Sequence, residues 1–264
     1  MTKMADVFAQ TKAEGRAALI GYFPAGFPTL EDSITIIRSM VENGVDIVEI
    51  GLPYSDPLMD GPVIEQAVEQ ALHNGINTDG VLKVVEGVAQ AGAPTLVMSY
   101  WNPILKFGQQ RFASALHQAG GSGVITPDLT PEEAGEWISA TDENDIDRVF
   151  LVAPSSTQER LGIVSDVCSG FVYAASTMGV TGARSTVSHH AKELVERTRS
   201  HTEKPICVGL GVSTPAQAEE IATYADGVIV GSAFVKAAIE ANDVTEAAAR
   251  VGRLAAELAQ GVRA

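Results

Sequence analysis

Cysteine is scarce. Cys168 and Cys207 are the only two in 264 residues, with no C-x-x-C spacing between them. That excludes a disulfide framework and fits apolar packing in a reducing compartment. Basic residues are also few: 18 Lys and Arg stand against 33 Asp and Glu, for a net charge of −15. No cluster of Lys and Arg offers nucleic acid a phosphate-binding surface. No apolar run approaches the ~18–20 residues of a membrane span. Residues 1–15 lack the apolar core of a secretory signal, so a cytoplasmic location is expected. No lysine falls at the C-terminal end of an expected strand, which argues against a Schiff-base aldolase. His73, His117, His189, His190 and His201 lie in or beside helical segments, and no metal-ligand spacing joins them to acids. No G-x-G-x-x-G follows the first strand with an acid ~20 positions on, so a dinucleotide site lacks its support. What survives is acid–base chemistry without a cofactor on a small substrate. That substrate can be an anion, because backbone N–H groups and helix N-termini hold phosphate without Lys or Arg.

The residues present alternate between two periodicities from end to end. Apolar runs at 17–22, 46–50, 95–99, 123–125, 148–152, 171–174, 205–208 and 226–230 read as strands, eight in all. Between them lie helical patterns, such as Val63, Ala67, Val68, Ala71 and Leu72, closed by Gly75. Thr130-Pro131-Glu132-Glu133 and Thr214-Pro215-Ala216-Gln217 each set Thr at an N-cap, Pro at the first helical position and Glu or Gln at the third. Nearly all-apolar strands joined by helical crossovers form a parallel sheet covered on both faces. Eight such units fit a single (β/α)8 TIM barrel over residues 1–264, α/β in class. A doubly wound open sheet is the competing architecture. Segments 2–12 and 77–91 are expected as extra N-terminal and inserted helices decorating the barrel.

Residues 46–62 concentrate the chemistry. A strand carries Glu49 near its C-terminal end, and a Gly/Pro-rich loop then delivers Asp60 just before a helix that begins at Pro62. Catalytic groups of parallel α/β proteins sit at that end of the strands. Val45, Ile47 and Glu49 share one face by alternation, so if the first two point into the barrel Glu49 points into its mouth. An unpaired buried carboxylate is costly or has its pKa raised, which suits a proton donor. Singly, Glu49 could be satisfied by backbone donors, and Asp60 could serve only the helix dipole or a turn. The pair on one βα unit is what points to acid–base partners. Glycine turns at Gly179–Gly182, 209–213 and 231–233 follow late strands, where barrel enzymes commonly bind phosphate, and Ser232 adds a hydroxyl. Tyr22, Met98, Tyr100 and Tyr173 would wall a flat apolar substrate if all four face inward at one end.

The run Glu-Ile-Gly-Leu-Pro-Tyr-Ser-Asp-Pro-Leu-Met-Asp-Gly-Pro at 49–62 resembles the signature of the tryptophan synthase alpha-subunit family almost residue for residue. The likeness continues in Tyr100-Trp101-Asn102-Pro103, Pro127-Asp128-Leu129, Gly179-Val180-Thr181-Gly182, Gly209-Leu210-Gly211-Val212-Ser213 and Gly231-Ser232-Ala233, covering about 16–236. It implies a (β/α)8 barrel that splits indole-3-glycerol phosphate into indole and D-glyceraldehyde 3-phosphate by a retro-aldol step, in tryptophan biosynthesis. The residue matching Glu49 is implied to move the proton between indole C3 and the substrate hydroxyl, and Asp60 to stabilise positive charge at the indole nitrogen. Tyr22, Met98, Tyr100 and Tyr173 would border the indole, Thr181 would orient Asp60, and Gly182, Gly211, Gly231 and Ser232 would hold the phosphate. The family implies no cofactor in this chain. It also implies a beta-subunit partner carrying pyridoxal phosphate, an α2β2 heterotetramer, and indole passing to that partner, which the 53–60 loop and the loop after Tyr100 would face. Thr177 stands where the family often has Arg, which leaves the closing contacts of the 177–186 loop open. Two other classes use the same glycines: a non-catalytic subunit binding a phosphorylated ligand, and a sugar-phosphate isomerase with Glu49 as base. Only the lyase needs both carboxylates and the aromatic pocket.

Overall fold

The computed structural model describes residues 3–176, 189–209 and 211–264. Among these residues nine strands run β1 (Ala18–Pro24), β2 (Ile47–Gly51), β3 (Thr95–Met98), β4 (Gly123–Ile125), β5 (Asp147–Val149), β6 (Leu151–Val152), β7 (Val172–Ala175), β8 (Ile206–Gly209) and β9 (Gly227–Val230). The pairings are parallel, in the order β5-β4-β3-β2-β1-β9-β8-β7-β6. The two edge strands are consecutive in sequence, separated by Phe150 alone. One segment therefore pairs with β4 through β5 and with β7 through β6, and the sheet curls into a nearly closed TIM barrel. The expected eightfold count holds once β5 and β6 are taken as the expected strand at 148–152. That strand breaks because the Phe150 N–H donates to the Cys168 Sγ at 3.4 Å rather than to a neighbouring strand.

Alternation sorts the apolar residues into two layers. Ala18, Ile20, Ile47, Leu96, Ile125, Val149, Cys207 and Ile229 fill the barrel interior. Leu19, Phe23, Val48, Ile50, Val97 and Val124 face outward and join Ile36, Ile37, Met40, Val84 and other helical residues in the surrounding layer. Both faces of the strands are buried, which is why they read as continuous apolar runs. Val45 does not share the inward face of Ile47 and Glu49. It precedes the first residue of β2 and packs in the outer layer, because strict alternation starts only where the ladder starts.

The helix Met4–Ala13 is more than a decoration. Met4, Val7 and Phe8 belong to the interior cluster, and Phe8 meets Phe171 edge-on with ring centroids 6.0 Å apart. A ten-residue helix is marginal alone in water, so this packing holds it, at roughly 1.5–3 kcal/mol for each fully buried large side chain. It plugs the N-terminal end of the barrel. The inserted helix is Thr78–Ala89, capped by the Asn77 side chain, which accepts from the Gly80 N–H at 2.9 Å. Of the two expected helix starts, Thr214 opens a full capping box with Gln217, whereas Thr130 opens a 3-10 turn, Pro131–Glu133, with the α-helix following only at Gly135–Glu143. Among the described residues, no helix is long and apolar enough to cross a membrane.

Candidate active site

With the N-terminal end plugged, open space collects at the C-terminal ends of the strands. A cavity with about 490 Å³ of empty volume lies there. Its walls come from β1 (Tyr22), β2 (Glu49), β3 (Met98), β7 (Tyr173) and β9 (Ile229). The loop after β2 adds Met59 and Asp60, the helix Pro62–His73 adds Ile64, and the turns after β8 and β9 add Gly211, Gly231 and Ser232. Sequence reasoning did not single out Met59, Ile64 or Ile229. Inward register on β9 identifies Ile229, and adjacency to Asp60 identifies Met59.

Glu49 is 1% exposed, and neither carboxyl oxygen has a hydrogen-bond partner among the described residues. Its register neighbours are Tyr22 on β1 and Leu96 on β3. Burial pushes its carboxyl up to about 8. Such a group is a neutral acid at physiological pH, able to give up a proton and to regain it. Burial, followed by the nearby carboxylates, also raises the phenols of Tyr22 and Tyr173, which stay protonated. Two glycines make room for these rings. A Cβ on Gly51 would collide with the Tyr22 phenol, and one on Gly209 with the Tyr173 phenol.

Asp60 is half-buried and differently supported. Burial raises its pKa, a hydrogen bond from the Tyr100 hydroxyl lowers it, and Glu65 raises it again. The Tyr100 hydroxyl donates to Asp60 Oδ1 at 2.9 Å and accepts from the Met59 N–H at 2.9 Å. The two carboxyls are thus held in one cavity by opposite means: Glu49 by apolar isolation, Asp60 by a donor.

Of the residues expected to wall the substrate, Tyr22, Met98 and Tyr173 come together around Glu49. Tyr100 does not join them. β3 ends at Met98, so the shared face expected of Met98 and Tyr100 stops there, and the Tyr100 ring turns to the 53–60 loop. Of the expected phosphate residues, Gly211 (φ +94°), Gly231 and Ser232 line one side of the cavity. Ser232 opens the helix Ser232–Ile239, in which the Phe234 and Val235 N–H groups donate to the Gly231 carbonyl and those of Ser232 and Ala233 come before the first intrahelical bond. Glycine at 211 supplies a left-handed backbone that other residues resist. Thr177, Thr181 and Gly182 lie outside the described residues. No group of three or more His, Cys, Asp or Glu side chains among the described residues could hold a metal ion.

Comparison with known proteins places this geometry. The family model for the tryptophan synthase alpha chain matches residues 8–263. A tryptophan synthase alpha chain of Thermobifida fusca is 58% identical over 267 residues, covering 100% of this chain and 99% of that protein. Its counterpart in Mycobacterium tuberculosis is 52% identical over 262 residues, covering 99% and 95%. A solved structure of Mycobacterium tuberculosis tryptophan synthase superposes with a TM-score of 0.93 at 51% identity, covering 100% of this chain and 99% of that one. Tryptophan synthase subunit alpha of Legionella pneumophila gives 0.89 at 30% identity, covering 99% and 98%.

Proposed function

The chain belongs to the tryptophan synthase alpha-chain family, and from that membership we propose how its barrel carries out the family's reaction. The activity is that of a lyase subunit: indole-3-glycerol phosphate is cleaved to indole and glyceraldehyde 3-phosphate in tryptophan biosynthesis. The family works with a beta subunit.

In our reading Glu49 is the proton carrier. Indole leaves poorly from carbon until C3 is protonated, so a neutral carboxyl at the ring face protonates C3, and positive charge develops at the ring nitrogen. Asp60, an anion, stabilises that charge. Glu49, now a carboxylate, takes the proton from the substrate hydroxyl as the carbon–carbon bond breaks and the aldehyde forms. One proton is delivered and one recovered, so the chemistry needs no cofactor in this chain. The burial of Glu49 with no partner among the described residues is the observation that carries this reading, since a merely structural carboxylate there would have donors. Tyr22, Met98 and Tyr173 would border the indole, Gly182, Gly211, Gly231 and Ser232 would hold the phosphate, and Thr181 would orient Asp60.

The exposed Leu58 on the loop after β2 and the exposed Leu105 on the helix Trp101–Phe107 support a partner-facing role for the mouth of the barrel. There a beta subunit carrying pyridoxal phosphate would receive indole in an α2β2 assembly. We read residues 1–264 as one domain acting in the cytoplasm. The test is indole release from indole-3-glycerol phosphate by the purified chain, alone and with a beta subunit. Weak release that rises with the partner is expected. No release from a folded sample in either mixture overturns the lyase.

A further inference from the structure

We propose that Tyr100 is a positioning residue that aims the Asp60 carboxylate, and that Tyr54 and Asn102 hold Tyr100 to that task. The proposal rests on the reading of Asp60 given above. It starts from how the phenol is used on both sides. The Met59 N–H donates into the Tyr100 hydroxyl oxygen at 2.9 Å, so the hydroxyl hydrogen is left to point at Asp60 Oδ1, also at 2.9 Å. Because Met59 and Asp60 are adjacent, one phenol grips the loop by its backbone and the carboxylate by its oxygen. An ionised carboxylate can only accept, so Tyr100 donates to the charged form of Asp60.

The ring itself is restrained from its other side. Tyr54 packs on Tyr100 with centroids 5.6 Å apart and planes at 40°. The Tyr54 hydroxyl accepts from the Asn102 amide at 2.9 Å. Tyr54 belongs to the loop after β2, as do Met59 and Asp60, whereas Tyr100 and Asn102 flank the start of the helix Trp101–Phe107. The two segments are thus tied at two points, and the Tyr54 ring, held by Asn102, lies against the Tyr100 ring. Asp128 anchors the same helix start by accepting from the Trp101 N–H at 2.8 Å. Tyr100 does not line the cavity, so it acts through Asp60 rather than on the substrate. Among the described residues the other ionisable groups bearing on Asp60 are Glu65 of the following helix and the Tyr22 phenol of β1, and no hydrogen bond joins either to it.

The test pairs a substrate-free readout with kinetics. The Asp60 carboxyl is titrated by carbon NMR, assigned with Asp60→Asn, in the native chain, Tyr100→Phe, Tyr54→Phe and Asn102→Ala. Tyr100→Phe should move the Asp60 midpoint upward, because it removes a hydrogen bond to the ionised form. It should also lower kcat about 10- to 100-fold, the scale of a hydrogen bond to a charged group, leave KM unchanged, and carry the acid limb of the kcat profile to higher pH. Tyr54→Phe and Asn102→Ala should each move the midpoint less, in the same direction. Their combination should do no more than either alone, since both remove one bond. An unmoved Asp60 midpoint in Tyr100→Phe overturns the proposal, as does a rise in KM alone, which would mean that Tyr100 touches substrate. Should Tyr100→Phe not fold, the Tyr54→Phe titration decides. A native chain that titrates as expected but cleaves nothing would count against the lyase and leave the positioning established.

Discussion

Asp46, just before β2, and Glu49, three residues on within it, have inverted surroundings. At the N-terminal end Asp46 accepts both guanidinium nitrogens of Arg16, at 2.7 and 2.9 Å, and the Leu19 N–H at 2.8 Å. Its neighbours around that rim follow suit. Asp226 accepts from Arg199 at 2.6 Å and from the Ile206 N–H at 2.8 Å, and Asp147 accepts from the Ser169 hydroxyl at 2.9 Å. At the C-terminal end Glu49 accepts from nothing among the described residues. One rim uses its carboxylates to tie strand to strand, and the other leaves one untied so that its proton can move. Stability and reactivity are thus separated along the barrel axis, as expected when a site keeps strain that the rest of the fold over-determines.

The contrast breaks first at Glu49. Glu49→Gln should lower cleavage by about 10²- to 10⁴-fold, the range of a general acid, with no fall in melting temperature at neutral pH. Full activity in a folded variant would remove Glu49 from the mechanism. Asp46→Ala should do the reverse, costing about 1–3 kcal/mol of unfolding free energy as Arg16 keeps only Glu14 for a carboxylate partner and the Leu19 N–H loses its acceptor, while kcat of the folded protein stays unchanged. Denaturant unfolding and kinetics on the same sample check both.

The pH dependence sharpens the same distinction. The Glu49 carboxyl sits at about 8 in the folded chain, against an ordinary 4.5. The folded state therefore keeps a proton that the unfolded state has released. Its contribution to stability is full below about pH 4.5 and is lost progressively as pH rises to about 8. Glu49→Gln should flatten the fall of melting temperature across that window, an effect of a few kcal/mol at most. Gly51→Ala should cost about 1–3 kcal/mol by overpacking and raise KM as the Tyr22 ring is displaced. Smallest of all, Leu58→Ser should change the isolated chain's stability by less than about 0.5 kcal/mol and be felt only as weaker beta-subunit binding in a titration.

Much of this was legible in the sequence because it rests on local chemistry. The eight strands are apolar runs bounded by turn residues, and the Thr214 capping box is written in four letters. Glu49 and Asp60 share one βα unit and one motif, so their meeting needed no long-range fold. What depended on where a ladder begins or ends was hidden. Val45 sits two steps before β2 and Tyr100 two steps past β3, and each turns away from the face that alternation assigns it. The break at Phe150 depends on Cys168, 18 residues on. The places of Tyr22 and Tyr173 depend on glycines of neighbouring strands, Gly51 and Gly209, which no single-strand pattern pairs with them.

The plug formed by Met4, Val7 and Phe8 has a consequence for traffic. Among the described residues it closes the bottom of the barrel and leaves the doorway at the opposite end. Substrate must enter, and both products leave, past the rim that bears Leu58 and Leu105. Whatever sits on that rim governs admission and escape together, and a small apolar product released at the bottom has no back exit into water.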